Sequence, residues 1–452
     1  MAPGSPHPAS YRDPAGHIFF RDKVAYRQVN EVYRAHYEMF MTSGLYDELT
    51  GMQMLITHVE TDLPGSNEHA WAVLKPEQLD FLSYPYEWGF SQLRDAAILT
   101  LDIQSTAMEK GMSLKDATPF NIVFRSNKPV FIDTLSFETY DPSSPWVAYH
   151  QFCTCFLAPL LLAAYRSPDL IRMLATHPEG IPLQLCSSLL PWSSRFRPLA
   201  ALHVHMPGGM KPGKQNSKQA SSFSKEKLNH IISHLKEGIQ GLSLSKGSVW
   251  SSYYEDTILS DSYLKDKERL VSRMLQGISF DQAFDAGCNT GQFSLVLARM
   301  GKKVISADSD PGCIDILYNG TKGKGLCIDS LLLDLMNPTP PTGWGNAERL
   351  SFWDRLKTDL ILALALIHHL CLGQNLSFEK IATLFSRHAE WLLIEFIPKT
   401  DPRAQQILSN KEDIYSGYTE ENFLHAFTEY FALVDRATVH DSSRSLFLLR
   451  RK

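Results

Sequence analysis

The residues most able to do chemistry in this chain are carboxylates standing at the ends of apolar runs. Asp285 closes Ala283-Phe284 and opens the loop Ala286-Gly287-Cys288-Asn289-Thr290-Gly291. Asp308 closes Lys303-Val304-Ile305-Ser306-Ala307, 23 residues further on, and is followed by Ser309. Asp334 sits in Leu331-Leu332-Leu333-Asp334-Leu335. Glycine is needed where backbone turns sharply and comes close to a ligand, and Gly287 and Gly291 bracket such a turn. A carboxylate beside a second strand can accept both hydroxyls of a ribose. The loop departs from the dinucleotide pattern, because Asn289 and Gln292 stand where its second and third glycines belong. It also lacks the G-x-x-x-x-G-K-[ST] spacing that cradles phosphate, and Gly320 to Gly325 reads as an ordinary turn.

Strands and helices must hold these groups. Phe293, Leu295, Val296, Leu297 and Met300 form a helical pattern closed by Gly301. Asp359 to Leu366, with Ala363 inside it, is apolar on both faces, as a central parallel strand must be. Trp391 to Phe396 is a further strand, carrying Glu395, and Phe431 to Ala437 and Ser445 to Leu449 pair as a closing hairpin. The expected fold is α/β: a doubly wound, seven-stranded Rossmann-like sheet with a closing antiparallel hairpin.

The pattern Asp285-x-Gly287-x-x-x-Gly291, with the acids after it, resembles the first motifs of class I S-adenosylmethionine-dependent methyltransferases. The resemblance covers about Trp250 to Lys452. It implies S-adenosyl-L-methionine as cofactor, held by Asp285, Gly287, Asn289, Gly291, Asp308, Ser309, Asp334, Leu335 and Ala363. It implies that Asp334 contacts the adenine amino group. A cationic sulfonium with an amino-acid tail has no phosphate to neutralise, so carboxylates suit it. Candidate catalytic groups are His368 and His369, at the carboxyl end of the sheet where a neutral imidazole can take a proton, and Glu395 on the substrate side. Packing is the alternative for both histidines. The aromatic segment before the loop, with Tyr253, Tyr254 and Tyr263, is expected to form a helical lid whose rings can face a sulfonium.

A second constellation lies upstream. Asp116-x-x-x-x-Asn121, a hairpin turning at Ser126 to Pro129, and Asp133 after three apolar residues resemble the catalytic loop and metal-binding Asp of kinases. A Gly-rich loop, a paired lysine and the residues flanking such aspartates in kinases are missing. The alternative is a loop capped by its own Asp and Asn side chains. The N-terminal half is therefore expected to be an α+β domain resembling a degenerate kinase, with Asp116, Asn121 and Asp133 as its alternative ATP/magnesium site. Together the halves resemble a bacterial group of methyltransferase-like proteins that includes a nodulation protein, which implies a small-molecule or carbohydrate acceptor.

Domains are expected at 1–206 (α+β), 207–227 (linker) and 228–452 (methyltransferase-like, opening with the lid). The linker's Gly, Pro, Ser and Lys make a basic stretch, solvated in the simplest reading, with a nucleic-acid or anionic surface as the alternative. His203-Val204-His205 reads as a strand with both histidines on one face. The 452 residues carry a net charge of −5, so no global basic footprint points to nucleic acid. Seven cysteines include no C-x-x-C pair, so no metal site is expected, and Cys153 and Cys155 read as buried thiols. No apolar run is long enough to span a bilayer, and no membrane partner is expected. No export signal is evident, so a soluble, cytoplasmic protein is expected. Kinase-type activity of the first half and non-catalytic cofactor binding are the rival functions.

Overall fold

A computed structural model describes residues 6–209, 224–244, 261–409 and 411–452. It divides into two compact units, one of residues 1–124, 128–246 and 340–350, the other of 125–127, 247–339 and 351–452.

The first unit opens on an antiparallel sheet of β1 (Gly16–Arg21), β2 (Val24–Asn30), β3 (His58–Thr61) and β4 (Ala70–Pro76), ordered β1-β2-β4-β3. The β1–β2 turn has both Asp22 (φ 50°) and Lys23 (φ 65°) in the left-handed region. That pair gives the hairpin a twist matching its strands. Helices α1 (Arg34–Thr42) and α2 (Leu45–Gly51) follow, separated by Gly44 at φ 76°. The long helix α3 (Phe90–Glu109) buries Leu93, Ala96, Ala97, Leu101 and Met108, the stripe its periodicity predicts. Residues 149–165 form a helix with a π-turn at Cys153–Leu157, and Cys153 and Cys155 are buried in it.

The expected boundary at 206/207 does not hold for the helix beyond it. Helix α4 (Lys225–Gln240) belongs to the first unit. Its apolar stripe, Leu228, Ile232, Leu235 and Ile239, is buried in that unit. Lys225 Nζ donates to the Met108 carbonyl at 2.9 Å and Lys236 pairs with Asp102, both on α3. An amphipathic stripe specifies that a helix must be covered, not by which element, and here α3 covers it. Residues 210–223, most of the expected linker, and 245–260, with Tyr253 and Tyr254 of the expected lid, lie outside the described residues.

The second unit carries the seven-stranded sheet. Its strands are β5 (Gln282–Ala286), β6 (Lys303–Asp308), β7 (Ile328–Leu332), β8 (Leu360–Ala363), β9 (Trp391–Phe396), β10 (Phe431–Thr438) and β11 (Ser445–Arg451). The order is β7-β6-β5-β8-β9-β11-β10. The first five pair in parallel, and β11 is antiparallel to both β9 and β10. The expected closing hairpin is therefore present. Helix α5 (Asp261–Gln276) precedes the sheet, and α6 (Gln292–Arg299) follows β5. The chain leaves β5 toward β6 on one side, and β8 joins on the other. That reversal opens a crevice at the carboxyl ends of β5 and β8. The third and fourth strands end earlier than their apolar runs suggest, so Asp334 and Leu364 to Leu366 lie on loops at this edge.

Candidate functional site

A cleft at this strand edge is lined by Lys267, Asp285, Gly287, Cys288, Asn289, Phe293, Asp308, Ser309, Leu333, Asp334, Leu335, Ala365, Leu366 and His369, among others. It brings together seven of the nine residues expected to hold the cofactor. Gly291 and Ala363 are the exceptions. Gly291 caps α6 at φ 86°, and a Cβ there would lie 2.2 Å from Leu317 Cδ1, so it serves the turn and the packing beneath it. Ala363 is sealed inside β8, and Leu364 and Ala365 take its place on the cleft wall. Ala365 holds φ 49°, an unfavourable conformation for a residue with a Cβ. Its N–H donates to Glu395 Oε2 at 2.7 Å, which holds the turn in place.

The carboxylates differ in environment. Asp285 is buried and accepts from Ser294 Oγ at 2.6 Å, which in turn accepts from Ser306 Oγ at 2.9 Å. Burial, with a smaller push from nearby Asp308, raises its pKa to about 7. Asp308 accepts the Asn289 and Asp310 N–H groups at 2.9 Å each, while burial raises its pKa. Asn289 reaches this position by adopting φ 50°. Asp334 accepts the Met336 N–H at 2.9 Å.

Sequence reasoning missed Lys267. It enters the cleft from α5 and is 3% exposed. Its Nζ donates to Glu395 Oε2 at 2.7 Å. Glu395, expected on the substrate side, is wholly buried and lies behind the cleft instead. It also accepts from Tyr263 Oη at 3.2 Å. Arg444, on the turn before β11, donates to Tyr263 Oη at 3.1 Å and to both oxygens of Asp401, at 2.8 and 3.1 Å. Desolvation lowers the Lys267 pKa, while Lys267 and Arg444 outweigh burial and hold the Glu395 carboxyl below its usual range. Two cations and two anions thus balance in one buried network. Tyr263 is committed to this network through its hydroxyl, and it is not among the residues lining the cleft. No single stretch of sequence contains a signal for these pairings.

The adjacent histidines pack ring on ring at 4.2 Å but differ in their access to the cleft. His369 lines the cleft; burial, then Arg403 and Arg444, lowers its pKa, so it is neutral at neutral pH. His368 is fully buried and absent from the cleft wall, and neither ring nitrogen has a hydrogen-bond partner. Burial pushes its pKa far down. A group shut away from the cleft cannot exchange a proton there, so the geometry favours His369 of the two.

In the first unit Asp116, Asn121 and Asp133 do come together. Asn121 lies beside Asp116, and its Nδ2 donates to Ser136 Oγ at 3.1 Å. Ser136 donates to Asp133, whose other oxygen pairs with Arg27 from β2. A guanidinium occupies the carboxylate that would have to hold a metal. Among the described residues no group of three or more His, Cys, Asp or Glu side chains is placed to hold a metal ion. His203 and His205 lie on a helical π-turn, not a strand. That geometry sends His203 to Tyr149 Oη (2.6 Å) and His234 (2.8 Å), and His205 to Ser187 and Ser194.

The fold and cleft define a doubly wound α/β domain, with a cleft at its strand edge, fused to an α+β unit. No family model matches the chain. Nodulation protein NoeA of Rhizobium meliloti (strain 1021) is 30% identical to it over 456 residues, spanning 98% of this chain and 95% of that protein. The chain belongs to the family of NoeA. Among solved structures, N-methyltransferase NodS from Bradyrhizobium japonicum WM9 is 15% identical over 42% of this chain and 98% of its own, with a TM-score of 0.31. The bifunctional kinase-methyltransferase WbdD is 18% identical over 42% of this chain and 38% of its own, with a TM-score of 0.29.

Proposed function

We propose that the second unit binds S-adenosyl-L-methionine and that the protein transfers its methyl group to a small-molecule or carbohydrate acceptor. The observation that carries this reading is the cleft itself. Three carboxylates from the edges of three successive parallel strands converge on it, with one buried ammonium beside them. That donor set suits a cation and repels phosphate. Asp285 and Asp308 are destabilised as anions by burial, and a ligand with positive charge relieves both. Asp285 would face the ammonium of the methionine end and Lys267 its carboxylate. Asp308 would accept the ribose hydroxyls, and Asp334 would hold the adenine amino group between Leu333 and Leu335.

The bound cofactor would supply an activated methyl group on a good leaving group. What remains for the chain is alignment, exclusion of water and removal of a proton. His369, neutral and on the cleft wall, is the group to take that proton at its ring nitrogen. Lys267, fixed from behind by Glu395, would hold the methionine end still.

Calorimetric titration of S-adenosylhomocysteine into the intact protein tests the reading. Micromolar binding is expected, weakened about tenfold or more in Asp285→Ala and in Asp308→Ala. A well-folded protein that binds neither this product nor S-adenosylmethionine would overturn it.

A further inference from the structure

The first unit displays apolar side chains where solubility gives no reason for them. Five exposed large apolar residues fall within one stretch, Leu189, Trp192, Phe196, Leu202 and Met206. Trp192 is 72% and Phe196 69% exposed, and their rings pack edge to face at 4.8 Å. Isolated exposed apolar residues are ordinary, but two exposed aromatic rings packed on each other, with further exposed apolar residues nearby in the chain, mark a contact surface.

The turn that carries them is rigidly built. Trp192 to Phe196 is a short 3-10 turn between Pro191 and Pro198. His205 fastens its base, bonding Ser194 Oγ and Ser187 Oγ at 2.8 Å each, and Ser194 is fully buried. Arg166 Nε donates to the Leu189 carbonyl at 2.7 Å. Holding two aromatic rings out into water on a fixed base saves ordering entropy only when something binds them.

The charge around them selects the occupant. Arg195 and Arg197 are exposed within the same turn. No Asp or Glu occurs between Glu179 and Glu226, although the whole chain is net acidic. A second copy of the same face would bring arginine against arginine. Two aromatic side chains with two exposed guanidinium groups beside them in the chain fit a surface that is negative outside and apolar just beneath.

We propose that the Trp192–Phe196 turn, with Leu202, Met206, Arg195 and Arg197, is a peripheral docking site for an anionic lipid surface. Trp192 and Phe196 enter the headgroup boundary, and the arginines pair with lipid phosphates. Among the described residues no helix is long and apolar enough to cross a membrane. The inference stands independently of the chemistry proposed for the second unit.

Co-sedimentation of the full chain with vesicles tests it. Binding is expected to equimolar phosphatidylglycerol and phosphatidylcholine, not to phosphatidylcholine alone, and to weaken with salt. Trp192→Ser/Phe196→Ser should lower partitioning about tenfold or more, and Arg195→Gln/Arg197→Gln about fivefold for each arginine lost. These side chains are largely solvent-exposed, so unchanged thermal midpoints should show that both variants fold. Absence of binding to the anionic vesicles, or binding indifferent to both double variants, would overturn the proposal. So would a concentration-dependent dimer that Trp192→Ser/Phe196→Ser abolishes, which would make this a self-association face.

Discussion

Replacing Lys267 by Met should damage the second unit in two separable ways. The substitution keeps the length of the side chain and removes its charge, leaving Glu395 buried without its nearest cation at 2.7 Å. Breaking a buried ion pair from one side costs about 3–5 kcal/mol. The low end applies here, because Tyr263, the Ala365 N–H and Arg444 still face the carboxylate. For a unit of this size, about 3 kcal/mol corresponds to a drop in Tm of roughly 10 °C. Lys267→Met/Glu395→Gln removes both charges; the amide carbonyl can still accept the Ala365 N–H and the amide NH2 can donate to Tyr263 Oη, so about 1–2 kcal/mol of the lost stability should return. Affinity for S-adenosylhomocysteine should not recover with it. Loss of a charged hydrogen bond to the ligand carboxylate weakens binding about tenfold to a hundredfold in both variants. Calorimetry for Tm and for binding reads the two effects separately. A single variant as stable as the parent would refute the buried-pair argument. Full affinity in the double variant would refute the role given to Lys267.

Two further outcomes follow from the ionisable groups. The Asp285 carboxyl titrates near pH 7 in the folded protein, well above its ordinary value of 3.8. Its contribution to stability is therefore full below pH 3.8 and is lost as pH rises through about 7. Binding runs the other way, since a ligand ammonium needs the carboxylate. Affinity for S-adenosylhomocysteine should rise as pH increases from roughly 6 to 8, with release of a proton, and Asp285→Asn should flatten that slope in titrations across buffers. The histidine pair should split as well. His369→Gln should lower kcat about a hundredfold once an acceptor is in hand, with cofactor affinity intact. His368→Leu should leave kcat within a few-fold of the parent and hold or raise Tm, because the imidazole it removes is buried with neither ring nitrogen hydrogen-bonded and its packing on His369 can be made by an apolar side chain. Equal kinetic losses in both would contradict the placement of His369 alone on the cleft.

Legibility in the sequence followed the range of the interaction. Asp285, Asp308 and Asp334 were readable because each lies at or just beyond the end of an apolar run, and the strand-to-loop transition is a local event. Gly287 was readable for the same reason, since its φ of 75° is a demand of the turn itself. Lys267 was not, because α5 lacks any internal mark that separates a lysine facing a cleft from one facing water. Glu395 was assigned to the right strand and the wrong side of the cleft wall, since its partners Lys267 and Tyr263 lie 128 and 132 residues away. Asp116, Asn121 and Asp133, proposed from their spacing, lie near one another. Arg27, 106 residues from Asp133, changed what that assembly offers a metal.

By itself the sequence determined the parallel strands, the Gly-rich turn, the carboxylates at the sheet edge and the closing hairpin. Apolar periodicity, turn chemistry and chain direction act over a few residues, and they leave little choice about such elements. Only the tertiary structure decided that α4 belongs with α3, that Glu395 is matched to Lys267 behind the cleft, and that His369 lines the cleft while its neighbour His368 does not. Those outcomes depend on which distant surface covers a helix and which distant charge follows a carboxylate into the core. Desolvation makes these choices stringent, and the partners that satisfy them are brought near only when the sheet and its helices close.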